Sequence, residues 1–250
     1  MNIKEKKLVI FDLDGTLAPS KSPMTEDMGQ TVVSLLAIMK VAVISGGGFL
    51  QFQTQFLASL PGTTDNYSNL FLLPTSGTRL YIWKGNWYEQ YAENLSPQEK
   101  AGIIGALNVA LKSVGYVPPA TQYGDLIEDR GSQITFSALG QKAPIELKSQ
   151  WDPTRSKRER IIAILQEKLP GFDCRIGGTT SVDITRRGVN KAYGIRRLEE
   201  FLHMPLEDMV FVGDALFHGG NDYPAKATGI DCIAVTGPQE TLPLIRNWLT

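Results

Sequence analysis

The 250-residue sequence predicts an α/β protein whose core is a doubly wound parallel sheet, interrupted by an inserted α+β domain. Short runs without a polar residue alternate with helical patterns near both ends of the chain, and an aromatic-rich antiparallel pattern lies between them. Apolar residues make up 42% of the chain and charged residues 20%, which is typical of globular proteins and excludes a disordered chain.

The core elements are predicted from runs of apolar residues. Four such runs indicate strands buried on both faces, as parallel strands are: Leu8 to Phe11, Val41 to Ile44, Leu70 to Leu73 and Met209 to Val212. Apolar residues at spacings of three and four predict helices between the first three runs. A helix near 190–202, a last strand near 232–235 and a C-terminal helix complete a Rossmann-like core.

The pattern changes near Arg79, where two aromatic-rich runs flank a short turn, as in an antiparallel hairpin. Ser96, Pro97 and Glu99 then form a predicted capping box at the start of a helix. Further short strands and a second helix indicate an antiparallel α+β domain. We therefore expect core segments at 1–80 and 186–250, with the inserted domain at 81–185.

Charge and hydropathy exclude several functional classes. The 25 Lys and Arg residues nearly balance the 26 Asp and Glu residues, so a net charge of −1 favours neither nucleic acid nor an anionic membrane as a partner. The sequence has no signal-peptide pattern, and no run approaches the roughly 20 apolar residues of a membrane span. We expect a cytoplasmic protein that acts on a small molecule.

Acidic residues follow two of the predicted strands. Asp12 and Asp14 come at the end of the first run and, because side chains alternate along a strand, both can face the same opening. Asp214 follows the strand that begins at Met209, and Asp222 lies in the next loop. Ligands of open α/β sheets bind at the carboxyl ends of strands, and carboxylate oxygens suit Mg²⁺. These aspartates predict a magnesium site.

A magnesium site beside a carboxylate indicates phosphoryl transfer through an aspartyl-phosphate. Ser45 and the amides of Gly46 and Gly47 follow the second strand and are candidates to bind phosphate oxygens. Lys191, at the start of a predicted helix, adds a positive charge. Each feature alone also fits a turn, a loop cap or a surface charge. Their common position at one edge of the predicted sheet favours the functional interpretation.

In chain order, FDLDGT, the serine of VISGG, the lysine of GVNK and the segment GDALFHGGND resemble the four motifs of the haloacid dehalogenase superfamily of phosphotransferases. The resemblance implies that Asp12 is the nucleophile and Asp14 the general acid and base. It also implies that Asp12, the Asp14 carbonyl and Asp214 hold Mg²⁺, with support from Asp222. An acid at the position of Asp14 argues for a phosphatase or a phosphomutase.

The insert lies between the second and third motifs, like the cap of sugar-phosphate phosphatases and of eukaryotic-type phosphomannomutases. The resemblance to the mutases covers nearly the whole chain and includes IEDRGSQITFSALG and RIGGTTSVD. It implies that Arg130 binds the distal phosphate and that Ser181 and Asp183 contact the substrate. It also implies that Lys21 contacts the substrate, at a position where the mutases have arginine. The resemblance further implies a homodimer formed through the cap.

Two positions depart from the mutase pattern in a way that bears on activity. Lys21 can still bind phosphate as a point charge. Gln141 follows SALG where the mutases have arginine, and a neutral glutamine cannot replace a bidentate cation. Lys142 is the nearest replacement. The sequence therefore favours a Mg²⁺-dependent phosphatase acting on a sugar phosphate or a similar small phosphomonoester. The alternatives are a phosphomannomutase-type phosphomutase and a non-catalytic phosphosugar-binding module.

Overall fold

The computed structural model describes residues 3–62 and 66–250. The strands are β1 (Leu8–Asp12), β2 (Lys40–Ile44), β3 (Leu70–Leu73), β4 (Arg79–Trp83), β5 (Trp87–Ala92), β6 (Ile127–Asp129), β7 (Gln133–Ser137), β8 (Phe172–Gly177), β9 (Ser181–Arg186), β10 (Met209–Gly213) and β11 (Asp231–Ala234). The helices are α1 (Glu26–Leu36), α2 (Phe49–Gln55), α3 (Pro97–Ser113), α4 (Ile145–Trp151), α5 (Ser156–Lys168), α6 (Lys191–Leu202), α7 (Tyr223–Lys226) and α8 (Pro238–Trp248).

The chain forms two compact units. The core unit comprises Met1–Ala92 and Val189–Thr250, and the inserted unit comprises Glu93–Gly188. The core sheet has the order β11-β10-β1-β2-β3-β4-β5, in which the first five strands are parallel. The predicted doubly wound core with an inserted α+β unit is confirmed. Within the described ranges, none of the helices is both long and apolar enough to cross a membrane.

Helices cover both faces of the core sheet because the strands are apolar on both sides. On β1, Val9 belongs to one buried cluster, together with Val32 of α1. Its neighbour Ile10 points to the opposite face and belongs to a second cluster, together with Ile195 of α6. Each helix buries its apolar stripe against one face of the sheet. This double burial explains why the runs Leu8 to Phe11 and Val41 to Ile44 contain no polar residue.

The boundary between the two units differs from the predicted one. The hairpin of β4 and β5 extends the core sheet, since β4 pairs antiparallel with β3 through Phe71 opposite Ile82 and Leu72 opposite Tyr81. The inserted unit therefore begins at Glu93 rather than at residue 81, and it ends at Gly188 rather than at residue 185. The hairpin joins the core because the edge of β3 has open backbone groups that β4 satisfies.

The inserted unit has a four-stranded antiparallel sheet in the order β6-β7-β9-β8. Helices α3 and α5 cover one face with Ile103, Leu107, Ile161 and Leu165. The predicted capping box is confirmed, because the Ser96 hydroxyl accepts from the Glu99 amide at 3.2 Å and the Glu99 carboxylate accepts from the Ser96 amide at 2.7 Å.

The sequence pattern did not predict helix α4. It has only seven residues, and it begins directly after Pro144. A helix of this length is too short to show an amphipathic period, so the local sequence pattern does not indicate a helix there.

Candidate active site

The candidate active site lies at the carboxyl edge of the core sheet, where several segments meet. Asp12 is the last residue of β1 and pairs in register with Ile44 of β2, so that Ser45 follows at the same level. Asp214 directly follows β10, which is the neighbour of β1 on its other side. Parallel pairing thus brings three predicted site residues to one edge of the sheet.

Three aspartates form a compact acidic group. Asp12, Asp214 and Asp222 each offer one carboxylate oxygen, and these oxygens all lie within 4.8 Å of one another. Asp12 and Asp222 are buried, and Asp214 is partly exposed. The Asp222 carboxylate is held by the Ala215 amide, which donates to its Oδ2 at 2.9 Å. The three side chains are therefore placed to bind one cation.

Gly213 makes room for this group. A Cβ atom at that position would lie 2.3 Å from Asp222 Oδ2 and 2.8 Å from the Phe211 ring. No real Cβ contact is so short, so a larger residue would displace the Asp222 carboxylate. The glycine at the end of β10 is thus a steric requirement of the acidic group.

Lys191 lies among the aspartates. Its Nζ donates to Asp12 Oδ1 at 2.5 Å and also donates to Asp222 Oδ1. Helix α6 begins at this lysine, and the side chain of the preceding Asn190 caps the helix by accepting from the Tyr193 amide. Lys191 is only 3% exposed, so its charge acts in a low-dielectric environment, where electrostatic interactions are stronger than in water.

Burial and charge shift the pKa values of this pair. Burial raises the pKa of the Asp12 carboxyl well above its usual range, and the positive charge of Lys191 opposes that rise. Burial by itself would lower the pKa of the Lys191 amine. The carboxylates of Asp12 and Asp222 outweigh burial, so the pKa lies above its ordinary value and the amine stays protonated.

The residues present fit a divalent cation. Asp12 Oδ2 is buried and, among the described residues, has no hydrogen-bond partner. A buried carboxylate oxygen without a donor is costly, and a cation bound by the three aspartates would satisfy it. All the donors of this group are carboxylate oxygens, which are ligands that hard cations prefer.

Asp14 lies outside the acidic group. Its Oδ1 accepts from the backbone amide of Lys21 at 2.7 Å, and its Oδ2 accepts from Gln51 Nε2 at 2.5 Å. The sequence pattern did not identify Gln51, because a glutamine in a short amphipathic helix carries no motif. The Lys21 side chain is exposed, and its contact with substrate stays a prediction. Coordination by the Asp14 carbonyl also stays a prediction.

In the loop after β2, one of the predicted phosphate donors already has a hydrogen-bond partner within the loop. The Gly47 amide donates to Ser45 Oγ at 3.1 Å. Ser45 is buried, and accepting this bond leaves its own hydroxyl hydrogen for another acceptor. Binding of phosphate by Ser45 and Gly46 stays a prediction, and the Gly47 amide would have to exchange its present partner to take part.

The predicted residues of the inserted unit lie on and beside its sheet. Ser181 and Asp183 lie two positions apart on β9, so their side chains share one face of the sheet. Asp183 accepts from Thr135 Oγ1 at 2.7 Å, and Ser181 Oγ lies 3.4 Å from Ser137 Oγ. We name this group of hydroxyls and carboxylate on β7 and β9, formed by Thr135, Ser137, Ser181 and Asp183, the polar sheet face.

Arg130 lies in the turn between β6 and β7 and is tied to Glu128. Its Nε and Nη2 atoms donate to Glu128 Oε2 at 2.9 and 2.7 Å. Glu128 pairs in register with Thr135, which pairs with Asp183, so the Arg130 partner lies in the same cross-strand row as the polar sheet face. Gln141 lies in the loop after β7, and its Nε2 atom is buried without a hydrogen-bond partner among the described residues.

Sequence comparison finds related proteins over almost the whole chain. The family model described as eukaryotic phosphomannomutase matches residues 28–250. A phosphomannomutase of Spinacia oleracea is 26% identical over 248 residues, which cover 97% of this chain and 95% of that protein.

Solved structures with low sequence identity share the fold. An IMP-nucleotidase of Plasmodium falciparum has a TM-score of 0.71 at 18% identity and covers 97% of this chain and 68% of its own. A haloacid dehalogenase-like hydrolase from Bacteroides thetaiotaomicron has a TM-score of 0.68 at 14% identity and covers 97% and 99%. The chain therefore belongs to the eukaryotic phosphomannomutase family, and it is a phosphotransferase enzyme of the haloacid dehalogenase superfamily.

Proposed function

We propose that this protein is a Mg²⁺-dependent sugar phosphomutase that moves a phosphoryl group between two hydroxyls of a hexose phosphate through phospho-Asp12. The observation that carries the phosphoryl transfer is the buried Asp12 carboxylate, which lies beside Lys191 and two further aspartates. One of its oxygens has no hydrogen-bond partner among the residues that the structure describes. The family match over residues 28–250 supports the mutase, which the sequence pattern ranked second, over the phosphatase that it ranked first.

In the first half-reaction, the Asp12 carboxylate attacks phosphorus in line, and the bond from phosphorus to the donor oxygen breaks. Asp14 gives its proton to that leaving oxygen. Lys191 stabilises the charge that gathers on the phosphoryl oxygens, and the Ser45 hydroxyl donates to one of them. In the second half-reaction, Asp14 takes the proton of an acceptor hydroxyl, and that oxygen attacks phospho-Asp12 and frees the carboxylate.

Asp12, Asp214 and Asp222 are the residues that would hold Mg²⁺. When bound, the cation neutralises charge on the transferring phosphoryl group and on the clustered carboxylates. Carboxylate oxygens are hard ligands, which favour Mg²⁺ over the softer transition metals.

We assign recognition of the sugar to the polar sheet face. Ser181 and Asp183 supply a hydroxyl and a carboxylate on one face, which suits the alternating hydroxyls of a hexose. Arg130 is assigned to the phosphate that is not being transferred, because a guanidinium binds phosphate in a bidentate manner. This assignment requires the Arg130 guanidinium to release the Glu128 carboxylate and to bind phosphate instead.

A second candidate function is hydrolysis, and one observation favours it. The loop position that resembles an arginine site in the mutases carries the neutral Gln141. The buried Lys148 weakens this argument for hydrolysis. Its Nζ donates to the backbone carbonyl of Gln141 at 2.6 Å, so it places a positive charge beside the same loop. Loss of the arginine would weaken the hold on a bisphosphate, and water would then accept the phosphoryl group from Asp12.

The deciding experiment incubates the protein with Mg²⁺ and mannose 1-phosphate, with and without a hexose 1,6-bisphosphate activator. Mannose 6-phosphate and free phosphate are measured together. A mutase produces mannose 6-phosphate only with the activator and releases little phosphate. Phosphate release without isomerisation would overturn the mutase and support the phosphatase.

The Asp12→Asn variant tests the nucleophile, with Asp125→Asn, an exposed aspartate, as its matched control. We expect the first variant to lose turnover and the second to keep it. A non-catalytic binding module would instead show no turnover in the unaltered protein and the same sugar-phosphate affinity in both variants.

A further inference from the structure

We propose that Gln51 is a positioning residue for Asp14 and that it sets the orientation of the carboxyl group that moves protons during phosphoryl transfer. This inference rests on the proposed function, because it assigns Asp14 the role of general acid and base. It goes beyond that function by naming a residue of helix α2 that no motif marks.

The contacts of Gln51 place its side-chain amide between two acceptors. One hydrogen of Nε2 points to Asp14 Oδ2 at 2.5 Å, and the other points to Gln55 Oε1 at 2.7 Å. Both partners are acceptor atoms, so the nitrogen, not the oxygen, must face them. Each of the two N–H bonds of the Gln51 amide therefore has its own acceptor.

Gln55 anchors this arrangement from one turn further along α2. Gln55 is 7% exposed, and its backbone carbonyl accepts from the Met24 amide at 2.7 Å. A buried side chain loses little further freedom when it holds Gln51, so the anchor is rigid. Gln55 thus fixes the direction in which Gln51 presents its amide to Asp14.

The loop after β2 leaves room for Gln51. A Cβ atom at Gly47 would lie 1.7 Å from Gln51 Oε1 and 2.4 Å from its amide carbon. The Gln51 carboxamide therefore packs directly over the Gly47 backbone, in space that only a glycine leaves open. Any other residue there would push the amide out of this position.

Asp14 is held at both oxygens by the two donors, since the Lys21 amide occupies Oδ1 and Gln51 occupies Oδ2. Each carboxylate oxygen has a second lone pair, so neither donor blocks the proton from reaching Asp14. The two bonds instead define the plane of the carboxyl group. Proton transfer needs a heavy-atom separation near 2.6–3.2 Å, and so a rotated carboxyl group would transfer protons poorly.

The test compares Gln51→Leu, which keeps size but removes the donor, with Gln53→Leu, an exposed position on the same helix. We expect Gln51→Leu to lower kcat for the hexose phosphate by roughly 10- to 100-fold, a part of the full effect of acid–base catalysis, and to leave KM within about twofold. The control variant keeps both constants. Equal thermal midpoints in both variants show that the fold is intact.

Leaving-group dependence separates positioning of Asp14 from general damage. With p-nitrophenyl phosphate the leaving oxygen needs no proton, so the first-turnover burst of p-nitrophenol should stay within about twofold in Gln51→Leu. The steady-state rate of p-nitrophenol release after the burst should fall, because Asp14 must then take the proton of the acceptor. An equal loss in burst and steady state would overturn the inference.

A double-variant cycle provides the second measurement. In the Asp14→Asn background, Gln51→Leu should change the single-turnover rate by less than about twofold, because the group it orients no longer moves protons. A tenfold effect that persists in that background overturns the positioning role. An unaltered protein that turns over no phosphomonoester overturns the proposed function and this inference together, whereas an active protein with an unimpaired Gln51→Leu variant overturns this inference alone.

Discussion

Lys191 Nζ lies 2.5 Å from Asp12 Oδ1, although the two residues are 179 positions apart in the sequence. The same ammonium group also donates to Asp222, so one cation links the first strand, the start of α6 and the loop after β10. The candidate active site is therefore also a junction that holds three segments of the core unit together.

Replacement of Lys191 by Met should destabilise the protein as well as inactivate it. Two buried carboxylates would lose their counter-ion, which costs about 3–5 kcal/mol when one partner of a buried pair is removed. Mg²⁺ should restore part of this loss, because it supplies positive charge to the same carboxylates. Urea unfolding in EDTA and in Mg²⁺ measures both effects. Lys168→Met, at an exposed site on α5, should change little, and equal losses in the two variants would contradict the prediction.

Replacement of Gly213 by Ala should weaken cation binding. The new Cβ would lie 2.3 Å from Asp222 Oδ2 and so displace a carboxylate of the acidic group. Loss of a supporting interaction at a metal site typically costs about 10- to 100-fold in affinity, and we expect a loss in that range. Isothermal titration with Mg²⁺ gives the affinity.

Gly105→Ala is the control for this change, since a Cβ at Gly105 of α3 would meet no described residue within 4 Å. That variant should keep its Mg²⁺ affinity and gain up to about 1 kcal/mol of stability from the helix propensity of alanine. Unchanged Mg²⁺ affinity in Gly213→Ala would show that Asp222 does not contribute to cation binding.

Stability of the inserted unit should depend on pH through Glu99. Hydrogen bonds from Arg186, and then from the Ser96 amide, lower the pKa of Glu99 from 4.5 to about 2. A carboxyl group with a lowered folded-state pKa contributes stability that is fully present above its unfolded value, and this stability is lost as pH falls through the folded value. The contribution of Glu99 should therefore disappear between about pH 4.5 and pH 2.

The difference in unfolding free energy between the unaltered protein and Glu99→Gln measures this contribution. The difference should be constant from pH 7 to about pH 5 and should shrink towards zero near pH 2. Glu167→Gln, at an exposed position of α5, serves as the control and should show a small difference at every pH. A Glu99 difference that grows on acidification would contradict the prediction.

Replacement of Arg158 by Met should destabilise the inserted unit. Arg158 Nε donates to Asp152 Oδ2 at 2.8 Å, and Nη1 donates to the carbonyl of Gly178, in the turn between β8 and β9, at 2.6 Å. Both charged side chains are nearly inaccessible, so the variant leaves Asp152 buried without its partner at a cost of about 3–5 kcal/mol. Arg160→Met, at an exposed site on the same helix, should cost less than about 0.5 kcal/mol in denaturant unfolding. Equal costs would contradict a special role for the buried pair.

Much of the fold follows from local patterns. The runs at Leu8, Val41, Leu70 and Met209 contain no polar residue and form parallel strands with helices on both faces. The Ser96 capping box starts α3 where its residue types require. Such features are readable because each depends on residues within one or two turns of one another.

By itself, the sequence determined the strand runs, the inserted α+β unit and the aspartates that end β1 and follow β10. Only the tertiary structure decided that the hairpin of β4 and β5 belongs to the core sheet and that Lys191 bridges Asp12 and Asp222. It also decided that Gln51 reaches Asp14. The physical reason is the separation of the interacting residues along the chain. The spacing of apolar residues and helix capping depend on residues that are close in sequence. The contacts of the hairpin, Lys191 and Gln51 depend instead on the register of paired strands and on side-chain directions set by packing.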